Sequence, residues 1–429
     1  MLGNAFEWYG YAIYMYLTVT LGNVFFPGDN QFAQQLQVFG VFAIGFAVRP
    51  LGAIIFGHIG DKYGRKLALI LSILLMSVPT FCIGILPTYE KIGIMAPILL
   101  VVLRILQGVS VGGNFGGAIT FVTEYATDRT RGLFGSWSVF SCIGGILIGN
   151  SVVSMISITY GADALQEWAW RIPFASGLLV GGVAWIMQYF IDESPVFEEA
   201  HKDDTPTALK ESPTIKFIRE NPRMVLMGVL VVMLNDVGFY TMYNFFPNHI
   251  QVKYNLCRDV VDDINVQSLA VMALSIPIFG HLSDIFGRKK ILATSAILFM
   301  VCSIPLFLIL ENLPNTVSQD DLIMTLRFMQ LFFAITLGAY FGPLAATIVE
   351  MFRTKERYSA VSIALNFSAA IFGGTAPLLA SYFTNLDFFY LGDGVYLTSY
   401  FPAIYLTFAG FVSLLTVLKL RETARAPLN

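Results

Sequence analysis

Two acidic side chains in apolar stretches are each followed by two tyrosines at the spacing of one helical face. The first set is Glu7, Tyr11 and Tyr14, and the second set is Asp236, Tyr240 and Tyr243. Residues at i, i+4 and i+7 share a face of an α-helix, so each set directs one carboxylate and two hydroxyls to the same side. A carboxylate is costly against lipid, and we therefore expect both faces to line a polar cavity. A carboxylate in such a cavity can carry a proton, which makes both acids proton-coupling candidates.

Two arginines and two amides are further candidates for the cavity wall. Arg49 precedes Pro50, and Arg104 opens a stretch that ends at Gln107. Each arginine can bind an anionic group of a ligand or brace a neighbouring helix, and the sequence leaves both roles open. Asn366 stands within a later apolar stretch. An unpaired amide in lipid is costly, so we expect Asn366 to face inward.

The composition requires most of the chain to lie in a membrane. Hydrophobic residues make up 56% of the 429 residues, charged residues make up 13%, and mean hydropathy is +0.67. A soluble domain of this size could not bury so many apolar side chains. The net charge of -3 favours no nucleic-acid partner, and the histidines and cysteines imply neither a metal site nor a disulfide framework. The sequence contains no nucleotide-binding loop, paired-carboxylate site or nucleophile pattern, so we expect neither an enzyme nor a cofactor.

Twelve apolar stretches are long enough to cross a bilayer core of about 30 Å, which takes roughly 20 residues per helix. The predicted helices cover residues 4–26, 33–58, 67–86, 96–124, 132–157, 171–191, 223–249, 265–284, 290–310, 322–350, 357–384 and 398–419. A polar stretch divides them into six and six. The sequence therefore predicts an all-α membrane protein with one half at 1–191, a cytoplasmic linker at 192–222 and a second half at 223–429.

A ten-residue loop occurs twice and indicates that the halves arose by duplication. GHIGDKYGRK at 57–66 returns 223 positions later as GHLSDIFGRK at 280–289. Glycines permit a tight turn between two helices in each copy. A repeat at one long spacing is typical of two related halves, which enclose a path between them.

The loops carry charged residues that can lock one conformation of the protein. In each loop, an acid and an arginine four residues later are expected to pair locally. In each half, a further glutamate ends a later helix, and an arginine seven residues beyond it should join the network. Ion pairs that form in one state and break in the other set the balance of the two. The predicted gate residues are Asp61, Arg65, Glu124, Arg131, Asp284, Arg288, Glu350 and Arg357.

The distribution of lysine and arginine predicts the orientation. If both termini are cytoplasmic, the inner loops and tail hold 19 basic residues and the outer loops hold 3. Cytoplasmic loops of membrane proteins carry the excess of positive charge. We therefore expect both termini, and both repeated loops, on the cytoplasmic side.

The repeated loops resemble the signature loop of the major facilitator superfamily, and further motifs resemble its metabolite:proton symporter branch. These motifs are GNAFEWY at 3–9, RPLG at 49–52, RILQG at 104–108, WRIPF at 170–174, ESPVF at 193–197 and FGGTAP at 372–377. The branch includes transporters of 2-oxoglutarate, citrate, shikimate, proline and betaine. The resemblance implies the major facilitator fold, with twelve helices in two pseudo-symmetric halves. It also implies a multi-pass protein of the bacterial inner membrane that works by alternating access, and we expect a monomer.

Two positions depart from that branch. The branch usually has an acid directly after Glu-Trp-Tyr, where this chain has Gly10, and it usually reads Gly-Gly-Glu where this chain has Asn114. Both changes remove a group that could bind a proton. They leave Asp236 as the favoured coupling residue, with Glu7 as the second choice, and Asn114 as a further cavity candidate.

The sequence predicts a secondary active transporter that imports a small polar metabolite by proton symport. The substrate is an organic acid or a zwitterion such as proline or betaine, and the other partners are protons and the lipid bilayer. A proton-independent uniporter or exchanger of the same fold is the alternative that Gly10 and Asn114 favour. An exporter of a drug or siderophore is a third reading. It is opposed by the stretch GGILIG at 144–149, where proton-exchanging exporters usually have a Gly-Pro pair.

Overall fold

The computed structural model describes residues 2–28, 37–38, 40–41, 44–175, 177–190, 192–193, 219–311, 318–384, 390–392 and 395–428. Nearly all of these residues are helical. The helices of the first half are α1 (Leu2–Tyr16), α2 (Thr18–Phe25), α3 (Arg49–Lys62), α4 (Arg65–Ile85), α5 (Tyr89–Ile92), α6 (Met95–Tyr125), α7 (Arg131–Ala164), α8 (Arg171–Ala175) and α9 (Gly177–Phe190). A π turn, Leu165–Ala169, follows α7.

The described part of the second half contains eight helices and one small hairpin. Its helices are α10 (Pro222–Tyr240), α11 (Phe246–Lys253), α12 (Arg258–Phe286), α13 (Arg288–Glu311), α14 (Gln319–Glu350), α15 (Arg357–Ser368), α16 (Ala376–Thr384) and α17 (Phe401–Lys419). Two π turns, Thr241–Phe245 and Ala369–Gly373, follow α10 and α15, and 3-10 turns cover Thr354–Glu356 and Leu397–Tyr400. Strands β1 (Tyr390–Gly392) and β2 (Val395–Tyr396) pair in antiparallel fashion, which the helical prediction did not include.

In the described part of the chain, nine helical spans are long and apolar enough to cross a membrane. They coincide with the predicted third to fifth and seventh to twelfth helices. The first predicted helix is divided at Leu17 into α1 and α2, and the sixth is described as α8 and α9. The start of the second predicted helix, 33–36, and most of the predicted linker 192–222 lie outside the described residues.

The two π turns of the second half have local causes. Pro247 stands at the beginning of α11 and has no N–H to donate to the preceding turn, which widens from α to π. At the other site, Gly374 N donates to Ala369 O at 2.8 Å, which is the i to i−5 bond of a π turn. Each of these helices therefore takes up an extra residue in its widened turn.

Helix packing brings the two halves together chiefly through two helix pairs. Within the first half, α1 packs along α7, and α3 and α4 pack against α6. Within the second half, α12 packs on α14, and α13 packs on α17. Between the halves, α12 lies against α7 and α15 lies against α3. Because α3 and α12 each end in one of the repeated loops, both contacts reach the same end of the bundle, which we call the loop face.

Candidate substrate site and gate

Two neighbouring cavities lie inside the helical bundle. The described lining of the first cavity comes from the first half, and it includes the candidates Glu7, Tyr11, Arg49, Arg104 and Gln107. The second cavity lies between the halves, and its lining includes the candidates Arg49, Asp236, Tyr240 and Asn366. Trp8, Arg49 and Val111 line both cavities. Of the candidates, Tyr14, Asn114 and Tyr243 are absent from both linings as the structure describes them.

Glu7 is held by an amide of a neighbouring helix. It lies in α1 with 2% of its surface exposed, and its Oε2 accepts a hydrogen bond from Nδ2 of Asn114 in α6. Its Oε1 accepts no hydrogen bond from the described residues. Asn114 thus supplies a donor to Glu7 but cannot itself bind a proton. Gly10 faces α4, since a Cβ atom there would lie 3.1 Å from Cε of Met76.

Arg104 is braced within the first half while it lines the first cavity. Its guanidinium lies 3.4 Å from the centre of the Tyr14 ring, and its NH1 donates to Oε1 of Gln107 at 2.8 Å. Gln107 in turn donates to Thr80 Oγ1 at 2.8 Å. The Tyr14 hydroxyl donates to the Val38 carbonyl at 3.1 Å, so this tyrosine supports Arg104 from behind the cavity. The bracing role that the sequence left open for Arg104 is present in this arrangement.

Arg49 stands at a break in its helix and belongs to both cavities. It precedes Pro50, whose missing N–H interrupts the helical hydrogen bonds, and Val48 lies in a turn before α3 begins. The guanidinium lies 3.6 Å from the centre of the Phe46 ring and 5.9 Å from that of Trp8. Its Nε has no hydrogen-bond acceptor among the described residues. Aromatic rings therefore hold the cation while part of its hydrogen-bonding capacity is left for a ligand.

The second half contributes an acidic and an amide side chain to the second cavity. Asp236 and its neighbour Asn235 lie in α10 and are 6% and 8% exposed. Asn235 Nδ2 donates to Asp236 Oδ1 at 3.0 Å. Asn366 in α15 donates through Nδ2 to the carbonyls of Gly112 at 2.8 Å and Ser362 at 2.7 Å. Asn366 therefore links the second half to α6 of the first half.

The two tyrosines of the second set point to different places. Tyr240 lines the second cavity, and its ring lies 5.8 Å from that of Phe46, across the boundary between the halves. Tyr243 falls in the π turn and stacks on Phe239 with ring centres 5.3 Å apart. A π turn adds a residue to the helical repeat, so the i+7 position no longer shares the face of Asp236.

Sequence reasoning missed several aromatic residues of the second cavity. Its lining includes Trp8, Phe115, Phe239 and Phe341. Single aromatic residues are common on lipid-facing surfaces, so composition alone does not identify them. The position of Trp8 directly after Glu7, and that of Asn235 directly before Asp236, were the signals that the sequence offered.

The first repeated loop closes the loop face by binding to the second half. Asp61 pairs with Arg65 at 2.7 Å. Both Asp61 oxygens also accept backbone N–H groups at the start of α15, from Tyr358 at 3.2 Å and from Ser359 at 3.0 Å. Glu124 binds Arg357 of the second half at 2.8 Å. A carboxylate at a helix N-terminus is favourable, and here it joins the two halves.

The second loop repeats this arrangement in the opposite direction. Asp284 pairs with Arg288 at 2.7 Å and accepts the N–H groups of Gly132 and Leu133, each at 2.9 Å, at the start of α7. Glu350 binds Arg288 at 3.2 Å and Arg131 of the first half at 3.4 Å. All eight predicted gate residues thus lie in two networks, and each network crosses between the halves.

Comparisons with known proteins identify the family. Residues 1–211 match the family model described as "Sugar (and other) transporter", and residues 230–429 match the model described as "Major Facilitator Superfamily". The glycine betaine/proline/ectoine/pipecolic acid transporter OusA of Dickeya dadantii is 34% identical over 434 residues, which cover 100% of this chain and 83% of OusA. The chain belongs to the major facilitator superfamily.

Two further comparisons support the fold of this facilitator. The proline/betaine transporter of Escherichia coli is 34% identical over 435 residues, which cover 100% of this chain and 83% of the relative. The structure of the proton:xylose symporter XylE superposes with a TM-score of 0.76 at 16% identity, covering 100% of this chain and 95% of XylE.

These findings confirm the predicted fold class and family. The protein has the twelve-helix major facilitator fold, with two pseudo-symmetric halves of six helices. It is a transporter and not an enzyme, as the sequence predicted. It is a multi-pass protein of the bacterial inner membrane.

Proposed function

We propose that this facilitator imports a small zwitterion of the proline or betaine type together with protons. The observation that carries the proposal is the second cavity, where the Arg49 guanidinium and several aromatic rings surround one space between the halves. A carboxylate is recognised by a guanidinium, and a quaternary or secondary ammonium is recognised by aromatic faces. The names of the relatives agree with such a substrate.

In this proposal, Arg49 binds the carboxylate of the substrate. Arg49 is the charged residue that the two cavities share in the described part of the chain, where it packs on aromatic rings and forms no ion pair with a described carboxylate. Arg104 has the supporting role, because its guanidinium rests on Tyr14 and Gln107.

Glu7 carries the proton in this proposal. The sequence favours Asp236, but Glu7 lines a cavity with Arg49, and the same Arg49 reaches the space between the halves. A substrate carboxylate on Arg49 neutralises the positive charge that otherwise favours the ionised form of Glu7. Proton binding to Glu7 therefore accompanies substrate binding. Release of both on the other side of the membrane then couples the two movements.

The transport cycle follows from the two gate networks. We propose that the loop face is cytoplasmic, that both termini lie on that side, and that a monomer is the working unit. The 19 to 3 distribution of basic residues supports this orientation. The rigid units are 1–191 and 223–429, with 192–222 as the linker. Opening toward the cytoplasm requires both networks to break, and rocking of the halves around the central cavities then releases the substrate.

Thermal unfolding of the purified protein tests the substrate class. A ligand that binds only the folded state raises the melting temperature. Proline and glycine betaine should raise it, whereas xylose and citrate at equal concentration should leave it unchanged. A shift with citrate alone would contradict a zwitterionic substrate.

A proton-independent uniporter is the second candidate. Gly10 and Asn114 favour it, because both stand where related symporters carry acids. The uniporter would bind the same substrates and give the same melting shifts. It differs in one respect, since its uptake would not respond to a pH gradient.

A further inference from the structure

Asp236 differs from the four buried acids of the loop face, because like Glu7 it forms no ion pair with the described residues. Asp61, Asp284, Glu124 and Glu350 each pair with an arginine. Asp236 forms no ion pair within 4 Å among the described residues, although it is 6% exposed. Its Oδ1 accepts a hydrogen bond from Asn235. Its Oδ2 accepts no hydrogen bond of normal length from the described residues, and the hydroxyl of Ser368 interacts with this carboxylate. One oxygen of the carboxylate is therefore left for a donor in the second cavity.

The walls around Asp236 suit a cationic group. Trp8, Phe115, Phe239 and Phe341 line the same cavity as Asp236. Aromatic rings attract a cation through the negative charge of their faces, and a carboxylate adds a full opposite charge. Water-excluded surroundings strengthen both interactions.

The charges of the two cavities favour one direction for a zwitterion. Among its described lining residues, the first cavity has two guanidinium groups, Arg49 and Arg104, and one carboxylate, that of Glu7. A substrate ammonium is repelled there. The second cavity has Asp236 against the shared Arg49. When the carboxylate of a zwitterion binds Arg49, its nitrogen can point toward Arg104 or toward Asp236. Only the direction toward Asp236 avoids a second positive charge.

We propose that Asp236 binds the cationic nitrogen of the substrate. It thereby selects zwitterions over carboxylates of the same shape that have no positive charge. Asn235 positions the carboxylate by donating to Oδ1. This inference rests on the proposed function, because it requires a zwitterionic substrate. It differs from the sequence prediction, in which Asp236 carries the proton.

The test uses two ligands of matched shape. Glycine betaine and 3,3-dimethylbutyrate differ in that a quaternary carbon replaces the quaternary nitrogen, so the second compound has no positive charge. Binding of each radiolabelled compound to purified protein is measured for wild type, Asp236→Asn and Asp236→Glu. The control is Asp263→Asn, which removes an exposed acid that pairs with Arg327.

Wild type should prefer glycine betaine, and Asp236→Asn should weaken its binding by ~30-fold or more while it leaves 3,3-dimethylbutyrate within about threefold. Retained binding of the second compound shows that the variant is folded. Asp236→Glu should restore part of the preference, and Asp263→Asn should behave as wild type.

Three results would overturn the assignment in different ways. Equal wild-type affinity for the two compounds contradicts the cation subsite alone. If Asp236→Asn binds glycine betaine normally but loses pH-driven accumulation, Asp236 carries the proton and does not bind the substrate nitrogen. A wild type that binds neither glycine betaine nor proline contradicts the proposed substrate class and this subsite together.

Discussion

The two halves are near copies at the loop face and different at the cavities. At the loop face, Asp61 and Asp284 each pair with an arginine four residues later, and each accepts two backbone N–H groups from the other half. In the cavities, the first half provides Arg49, Arg104 and Glu7, the second half provides Asp236, and both halves provide aromatic rings.

The difference separates two tasks. Closing and opening the loop face depends on both halves in the same way, so duplication preserves the residues that do it. The two ends of a zwitterion carry opposite charges, and the proton needs a carboxylate of its own. Two cavities with identical charged groups could not serve all three. We infer that conformational switching is symmetric in this protein and that binding and coupling are asymmetric.

Substitution of Arg49 tests the asymmetric part with the largest expected effect. Arg49→Ala should weaken binding of glycine betaine by ~100-fold or more, because it removes the charge that meets the substrate carboxylate. Arg49→Lys should retain part of the binding, since it keeps the charge but loses the planar fork. Equilibrium binding to purified protein measures both. Arg327→Ala is the control, since Arg327 lies 44% exposed on the periphery. Unchanged affinity in Arg49→Ala would leave Arg49 with a bracing role only.

Substitution of Glu7 separates coupling from binding. Glu7→Gln should abolish accumulation driven by a pH gradient and should leave counterflow exchange of substrate within about threefold of wild type, because exchange needs no net proton movement. Uptake into liposomes measures both activities. Glu90→Gln, which changes an exposed acid in α5, is the matched control. If Glu7→Gln still accumulates substrate against its gradient, another group carries the proton.

The gate acids test the symmetric part. Asp61→Asn and Asp284→Asn should each slow transport by about tenfold and should change substrate affinity by less than about threefold, because each weakens a cross-half network without touching the cavities. Matching effects in uptake and binding assays are the key expectation. A silent variant in one half beside a severe one in the other would show that the networks are not equivalent.

The close approach of α6 and α15 gives the smallest expected effect. A Cβ atom at Gly116 would lie 2.4 Å from Ser362 Oγ and 2.8 Å from Ser362 Cα of the other half. Gly116→Ala should therefore disfavour the closed loop face and slow transport about two- to fivefold. Gly144→Ala is the control, since a Cβ atom there meets no described residue within 4 Å. The rate of thiol labelling at a cysteine introduced on the loop face should increase in Gly116→Ala and remain unchanged in the control.

The sequence predicted the fold well because the signals are strong and local. Apolar stretches of membrane length gave the helices, and the repeated loop gave the two halves. In both loops the turn glycine, Gly64 or Gly287, has a positive φ, of 112° and 102° respectively. Such a backbone conformation favours glycine, so the repeat of these glycines carried real structural information.

The site was less accessible to sequence reasoning for physical reasons. Helical spacing assumes a regular helix, and the π turn at Thr241–Phe245 removes Tyr243 from the face of Asp236. Tyr14 keeps the helical angle of Glu7, but seven residues displace it by roughly 10 Å along the axis, to a place where it supports Arg104. The spacing of Glu124, Arg131, Glu350 and Arg357 also fits pairing within each half. Only the packing of the halves determines that the pairs cross between them.

Uptake by the wild-type protein in liposomes tests the central claim most directly. An inward proton gradient should drive glycine betaine or proline above its external concentration, and a protonophore should reduce the level to equilibrium. Accumulation of the substrate should follow the imposed pH difference. Uptake of the same substrate that stops at equilibrium with or without the gradient would contradict proton symport and would establish the uniporter.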